Sequence, residues 1–533
     1  MKNKVLYIAA LSLLTTFSGC SSFGDINNDP EAITPSVMNY TLEFTNVQQY
    51  CYGTEYEAWR NGLIYCSTML QHTASTESYW CGDKYTYSDG YNSAFWDRMY
   101  PNGIRNVIDL MENWKDSEKY YPEYQMARIM KVLLFHRMTD MYGDCPYSEA
   151  GQGYYQANGY PKYDKQQDIY TDMLKELKEA AENLNGKSST IGNADIIYGG
   201  DCTKWRKFSY SLMLRLAMRL SKVDPNTAKT WVTTAVSGGL FASNDDNAKI
   251  NHPSAVTSNN SCEPFGKIYC HEDPSAYRMS DSFVSLLKNS NDPRLRLLCT
   301  VVNDPSKKIG SGDWQMGDTI ASHQIGMPNG YDETSDTLAP THIKNAPNYP
   351  GNKIKYNPLD KNLYSVANRY TYARIDAPTF LVTYAENQLL LAEAAYRGWI
   401  SGSAETYYNE GVKASMKQFN QFTTGLAPSD AEISNYLRLN PYSAATALKQ
   451  INTQYYINTF SDDYETFANW RRSGYPVLKT VNYIGNVTSG TVPRRFTYSS
   501  GEASINSTNY LEAVSRLTGG DKMTSRVWWD KAE

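Results

Sequence analysis

Residues 378–416 read PTFLVTYAENQLLLAEAAYRGWISGSAETYYNEGVKASM. Pro378 is a favoured first helical position, and the residues after it predict a helix as far as Gly398, a suitable C-cap. Ser403 can cap a second helix directly afterwards, running through Met416. Helices of this length joined by so short a turn predict antiparallel pairs, the building unit of helical solenoids.

Upstream the same pattern recurs. In Tyr124–Tyr142 the apolar residues Met126, Ile129, Met130, Leu133, Leu134, Met138 and Met141 keep a spacing of three and four. Asp164 with Gln167 makes a capping-box pattern before a helix over Ile169–Leu184. Trp205, Phe208, Leu212, Leu216 and Leu220 line one face of a further helix. No strict 34-residue period is present, so any repeats are degenerate. Residues 244–376 differ, being rich in Asn, Asp, Ser, Gly and Pro around one short helix, Ser280–Lys288. An irregular stretch this long in a compact domain is usually functional. The expected architecture is mostly α: a helical scaffold at about 36–240 and 377–475, with a loop-rich insertion at about 244–376.

At the start, Lys2 and Lys4 precede an apolar run from Val5 to Phe17, then Ser18-Gly19-Cys20. The run is shorter than the roughly 20 residues that a spanning helix needs, and has the charged start and small-residue cleavage site of a secretory signal. Cys20 just after the small residues predicts a lipoprotein with signal peptide 1–19, its mature chain acylated at Cys20 and otherwise soluble. Residues 20–533 then form one domain.

The 51 basic residues nearly balance 56 acidic ones, for a formal charge of −5. Nucleic-acid binding, which depends on clustered positive charge, is not expected. The eight cysteines after Cys20 include no Cys-x-x-Cys pair, which excludes zinc-ribbon and thioredoxin readings. Disulfides, with Cys262 and Cys270 closest in sequence, and buried thiols remain equal alternatives. The six His residues include no i, i+4 pair, so a metalloprotease helix is excluded. Gly186-Lys187-Ser188 lacks the upstream glycine of a phosphate loop, since Ala181 stands there. No nucleophile elbow, dinucleotide fingerprint or EF-hand loop is present. No cofactor or metal site is assigned, although Asp- and Asn-rich loops could hold calcium without a pattern.

Tyr numbers 44 and Trp 11 against 15 Phe. Each buried hydroxyl needs a partner, so an excess of Tyr over Phe predicts wet aromatic surfaces suited to sugars or peptides. The densest stretch is 79–100. There Phe95, Trp96 and Tyr100 fit one packed helix face, whereas Tyr79, Trp80, Tyr85 and Tyr87 lie among Gly82, Asp83, Ser88 and Asp89 in a loop setting. Trp314 and Tyr331 occupy equally polar loops. These six rings are the ligand-binding candidates, able to stack on a pyranose face while Asp or Asn accepts hydroxyl hydrogen bonds. The bland alternative is that they seal loops onto the scaffold.

Along the chain stand Phe23-Gly24-Asp25-Ile26-Asn27-Asn28-Asp29-Pro30, Met141-Tyr142-Gly143-Asp144-Cys145-Pro146-Tyr147, Pro161-Lys162-Tyr163-Asp164-Lys165-Gln166, Asn291-Asp292-Pro293-Arg294-Leu295, the Tyr384–Trp399 helix, Trp470-Arg471-Arg472-Ser473-Gly474-Tyr475-Pro476, and Arg526-Val527-Trp528-Trp529-Asp530. Together these segments resemble the SusD/RagB family of outer-membrane nutrient-binding lipoproteins, in its starch-binding branch. The resemblance implies tetratricopeptide-like helix pairs under a loop-rich layer. It implies a surface lipoprotein that lids a SusC-like TonB-dependent transporter and captures oligosaccharides without catalysis. Peptide cargo in the same role is the alternative, and a surface glycoside hydrolase a more distant one. The shared motifs are scaffold motifs, with Trp470 and Trp528 read as core, and no ligand residue carries over by motif.

Overall fold

The computed structural model describes residues 38–254, 261–306, 317–334 and 336–532. Cys20 and Trp314 lie outside them. The chain divides into a segment Met1–Leu42 and a compact unit Glu43–Glu533.

Helices dominate the compact unit. Arg105–Trp114 packs on Tyr121–Tyr142, which packs on Gln166–Asn183; the series continues through Cys202–Arg219 to Pro225–Gly238. A second series pairs Tyr384–Tyr396 with Ala404–Lys417 and Ala447–Asn458 with Asp463–Ser473. Cys202–Arg219 touches Tyr384–Tyr396 and joins the two. The predicted helical faces form the core: Met126, Ile129, Met130, Leu133, Leu134, Met138 and Met141, and likewise Trp205, Phe208, Leu212, Leu216 and Leu220, are all buried.

Two helix starts differ from expectation. The helix read from Pro378 begins at Tyr384, because Thr379–Val382 forms an antiparallel strand with Ala248–Ile250. Thr-Phe-Leu-Val is β-branched and aromatic enough to pair once a partner strand is near, and a distant segment supplies that partner. Thr383 then caps the helix, its hydroxyl accepting the Glu386 N–H at 3.2 Å. The other end is as read: the helix stops at Tyr396, and Gly398 adopts the left-handed region (φ 70°). Asp164 forms no capping box. Its carboxylate instead accepts the N–H groups of Tyr147 (3.1 Å) and Ser148 (2.7 Å), tying the loop after Tyr142 to the next helix. Lys165, not Asp164, stands at the N-cap.

Buried ion pairs hold the helices together, Arg215–Glu386 across the two series and Arg472–Glu393 within the second. Arg215 donates to both Glu386 oxygens at 2.6 Å, and Arg472 holds Glu393 at 2.7 and 2.8 Å. All four side chains are buried. Burial alone would raise the Glu393 carboxyl, but Arg472 and Arg397 hold it down at about 2. The Tyr-Gly-Asp segment has an equally physical basis. Gly143 (φ 89°) ends the helix Tyr121–Tyr142, and a Cβ there would lie 3.4 Å from Val527 in the C-terminal motif. Asp144 accepts the Gln166 N–H at 2.8 Å and pairs with Arg516 at 2.5 Å.

Much of the tyrosine excess lies inside, contrary to the expectation of wet surfaces. Tyr142, Tyr455, Tyr456 and Tyr464 are buried, and their hydroxyls donate to Asn92 O, Glu465, Leu70 O and Glu57 O at 2.8–3.1 Å. Tyr suits this interior because its rings fill space while its hydroxyls donate to buried carbonyl and carboxylate oxygens. All eight cysteines after Cys20 are buried thiols.

The described residues of 244–376 form the helix Asp281–Asn289, capped by Ser280, shorter helical pieces at Pro264–Lys267, Ile268–Glu272 and Leu295–Leu298, and short antiparallel ladders. One of these, Thr73–Ser75 with Tyr277–Met279, anchors the loop layer to the first aromatic loop.

Candidate functional site

The antiparallel ladder Thr73–Ser75/Tyr277–Met279 sets Ser75 opposite Tyr277, so the residues after Ser75 and those before Tyr277 lie at the same end of it. Past it, the Thr76 N–H donates to Ala276 O (2.9 Å) and the Glu333 N–H to Thr76 O (2.8 Å). Three segments far apart in sequence, around residues 76–79, 273–276 and 333, thereby share one surface.

Tyr79 stands on it with 41% of its surface exposed, and its hydroxyl donates to Asp273 at 2.8 Å. Burial pushes the Asp273 carboxyl above its ordinary range, against the opposing pull of the Tyr79 hydrogen bond. Glu333 accepts from the Tyr356 hydroxyl (2.7 Å) and from Lys361 (2.6 Å). Beneath lies Arg278, fully buried and donating to Lys361 O, Ser275 O and Asn362. Burial lowers its guanidinium to about 10. An apolar cluster of Ala74, Met327, Ile343, Ala346, Tyr349 and Tyr364 supports the layer, with Tyr331 and Tyr356 packed on it half-buried. The surface combines an open tyrosine ring, half-buried tyrosines and carboxylates already aligned by hydrogen bonds. Such a surface can stack on an apolar ring face while accepting hydroxyl hydrogen bonds.

Trp80 and Tyr85 do not belong to it as exposed rings, since both are fully buried. The polar residues between them turn inward and satisfy one another. Lys84 pairs with Asp83 at 2.9 Å, both buried, and Asp83 accepts the Ser75 N–H at 3.0 Å. Gly82 presses the turn onto the segment Ala58–Ser67: a Cβ there would come within 2.5 Å of Thr68 Oγ1 and the Ile64 and Tyr65 carbonyls. Tyr87 is exposed (43%) but faces elsewhere, donating to Asp89 (3.0 Å) and accepting from Thr497 (3.3 Å). Of the six candidates the structure therefore joins Tyr79 and Tyr331 to the loop layer and sets Tyr87 apart.

Asp273, Glu333, Tyr356 and Lys361 escaped the sequence reading. Tyr356, in a polar loop, carried the same signal as Tyr331; the charged three had none. Also missed is Tyr154, 86% exposed on the short helix Gly153–Gln156. Two open clefts of about 500 and 510 Å³, one beside Arg296 and Glu432 and one beside Arg516 and Trp528, contain none of the five candidates among the described residues. Trp528 is half-buried there, whereas its neighbour Trp529 is the one in the core.

A family model described as "Starch-binding associating with outer membrane", a SusD-like family, matches residues 28–499. The chain belongs to this SusD-like family. A solved structure described as a chitin-binding protein shares 33% identity at a TM-score of 0.78, over 93% of this chain and 100% of that one. A SusD-like protein of Bacteroidetes (AC2a) shares 28% at 0.80, with the same coverage. A chitin-binding SusD homolog from Flavobacterium johnsoniae shares 25% at 0.72, over 93% and 98%. No protein with a curated description matches the chain. The helix pairs described above are those of the tetratricopeptide-like SusD fold. In this SusD-like chain no helix among the described residues is long and apolar enough to cross a membrane.

Proposed function

We propose that this SusD-like protein captures oligosaccharides at the outer-membrane surface and passes them, without cleaving them, to a SusC-like TonB-dependent transporter. Acyl chains on Cys20 hold it to the membrane, and the transporter supplies the pore and the energy. The observation that carries the reading is the loop-layer surface, where the open Tyr79 ring bonds the Asp273 carboxylate and the segment of Glu333 is joined through Thr76. Family membership supports the carbohydrate class, and two similar structures described as chitin-binding make β-linked N-acetylglucosamine oligomers the first cargo to try. Each acetamide face is apolar enough to stack on a tyrosine, and each remaining hydroxyl can donate to a carboxylate. Tyr79, Tyr87, Trp314 and Tyr331 stay in the proposed contact set; Trp80 and Tyr85 enter it only through a rearrangement that uncovers them.

The test is calorimetric titration with chitin and starch oligomers and with mixed peptides, followed by product analysis of the same samples. Binding of a glycan that is recovered intact supports the reading. Binding of peptides alone replaces the cargo, and cleaved glycan replaces the role.

A further inference from the structure

Well inside the protein, where the strand Thr379–Val382, the turn after Asn458 and the short helix Gln418–Gln421 meet, lies a space of about 20 Å³. That is room for one water or one ion. Among the described residues three carboxylates line it, Glu263, Glu386 and Asp462, and no Lys, Arg or His does. Two further lining groups are amides nine-tenths or more buried, Gln418 (3% exposed) and Asn458 (8%), whose side-chain oxygens have no hydrogen-bond partner. The Ser461 hydroxyl is likewise unpartnered, on a residue held in the left-handed region at φ 72°. Buried acceptors are rarely left in this state.

Charge points the same way. Glu386 is neutralised by Arg215 at 2.6 Å, and Asp462 lies 3.6 Å from Arg137. Glu263 has no ion pair among the described residues: its oxygens receive the Gly266 N–H and the Thr379 hydroxyl (3.3 Å). The space also adjoins the C-terminus of the helix Ala447–Asn458, whose last carbonyls carry partial negative charge.

We propose that this space is a structural site for a hard, oxygen-preferring cation of the Ca²⁺ class, held by Gln418, Asn458, Ser461 and Glu263. No nitrogen or sulfur ligand lines it, which disfavours zinc and copper. Three of these four ligands, Gln418, Asn458 and Ser461, offer neutral oxygens, a donor type calcium accepts. The ion offsets the Glu263 charge, which a water does not, and pins the Ser461 turn to the strand and to Gln418. The inference is independent of the cargo reading.

The test uses the purified protein stripped with a chelator, then given Ca²⁺ or Na⁺ during thermal unfolding, with elemental analysis of the unstripped sample. The expected result is one ion per chain and a Tm that climbs with cation concentration, with affinity on the order of 10⁻³ M or tighter, as in extracellular calcium modules. Glu263→Gln and Gln418→Leu should each abolish the climb; if one fails to fold, the other decides. A wild-type protein that carries no ion and shows no cation-dependent Tm overturns the proposal, leaving a buried water. A response that survives both substitutions also overturns it.

Discussion

Tyr79 and Trp80 are adjacent, yet one is open and the other sealed. The difference lies in the turn Gly82–Lys84, where the Asp83–Lys84 pair and the Ser75 N–H bond draw the chain inward and carry Trp80 and Tyr85 beneath the surface. Opposite consequences are expected of substituting the two neighbours. Tyr79→Ala should leave the Tm unchanged and weaken glycan binding by about 1 kcal/mol, the worth of one stacked ring. Trp80→Ala should instead destabilise the fold by about 3–5 kcal/mol through the cavity it leaves, measured by denaturant unfolding. Gly82→Ala meets backbone carbonyls that cannot retreat, and a loss of about 1–3 kcal/mol is expected from the same measurement. An unaltered unfolding midpoint for Gly82→Ala would mean that the turn is not pressed against Thr68.

The helices hold together by apolar faces and by buried charge between them. Glu393, on Tyr384–Tyr396, takes Arg472 from Asp463–Ser473 and Arg397 from just beyond its own helix. Removing one member strands the other, so Arg472→Met should cost about 3–5 kcal/mol. The acid limb should also be visible. Glu393 titrates at about 2 in the folded protein, against about 4.3 for an unfolded glutamate. A depressed folded pKa gives a contribution complete above the unfolded value and lost as pH falls towards the folded one. Between about pH 4.3 and 2 the wild type should therefore lose stability more steeply than Glu393→Gln, which starts lower because Arg472 is left unpaired. Parallel acid limbs for the two proteins would remove Glu393 from the acid response. The Thr379–Val382 strand has a similar dependence on a distant partner, since four residues pair only because Ala248–Ile250 arrives beside them.

For the whole molecule, the expected division of labour is a rigid helical body that carries a loop layer to its ligand. The proposed anchor is tested apart from that body: Cys20→Ala should be recovered in the soluble fraction with glycan affinity unchanged. Continued membrane fractionation of that variant would overturn acylation at Cys20.

The helical scaffold was legible along the chain because its signals are local. The three-and-four spacing in Tyr124–Tyr142, Gly398 past a helix end and Ser403 at a helix start each state their structure within a few residues, and each stands as read. The family motifs were legible for a related reason. Gly143, Asp144, Glu393 and Arg472 serve fixed backbone or charge contacts that admit few other residue types. The surface facing a ligand was not legible. Whether a tyrosine in a polar loop is open depends on what its polar neighbours bond to, and those partners come from the far side of the chain. Asp83, part of a polar loop in the sequence, is paired with Lys84 and buried, and Asp273 and Glu333 reach Tyr79's surface through pairings with segments some 200 residues away. Local spacing encodes helices, while exposure is a property of the assembled fold.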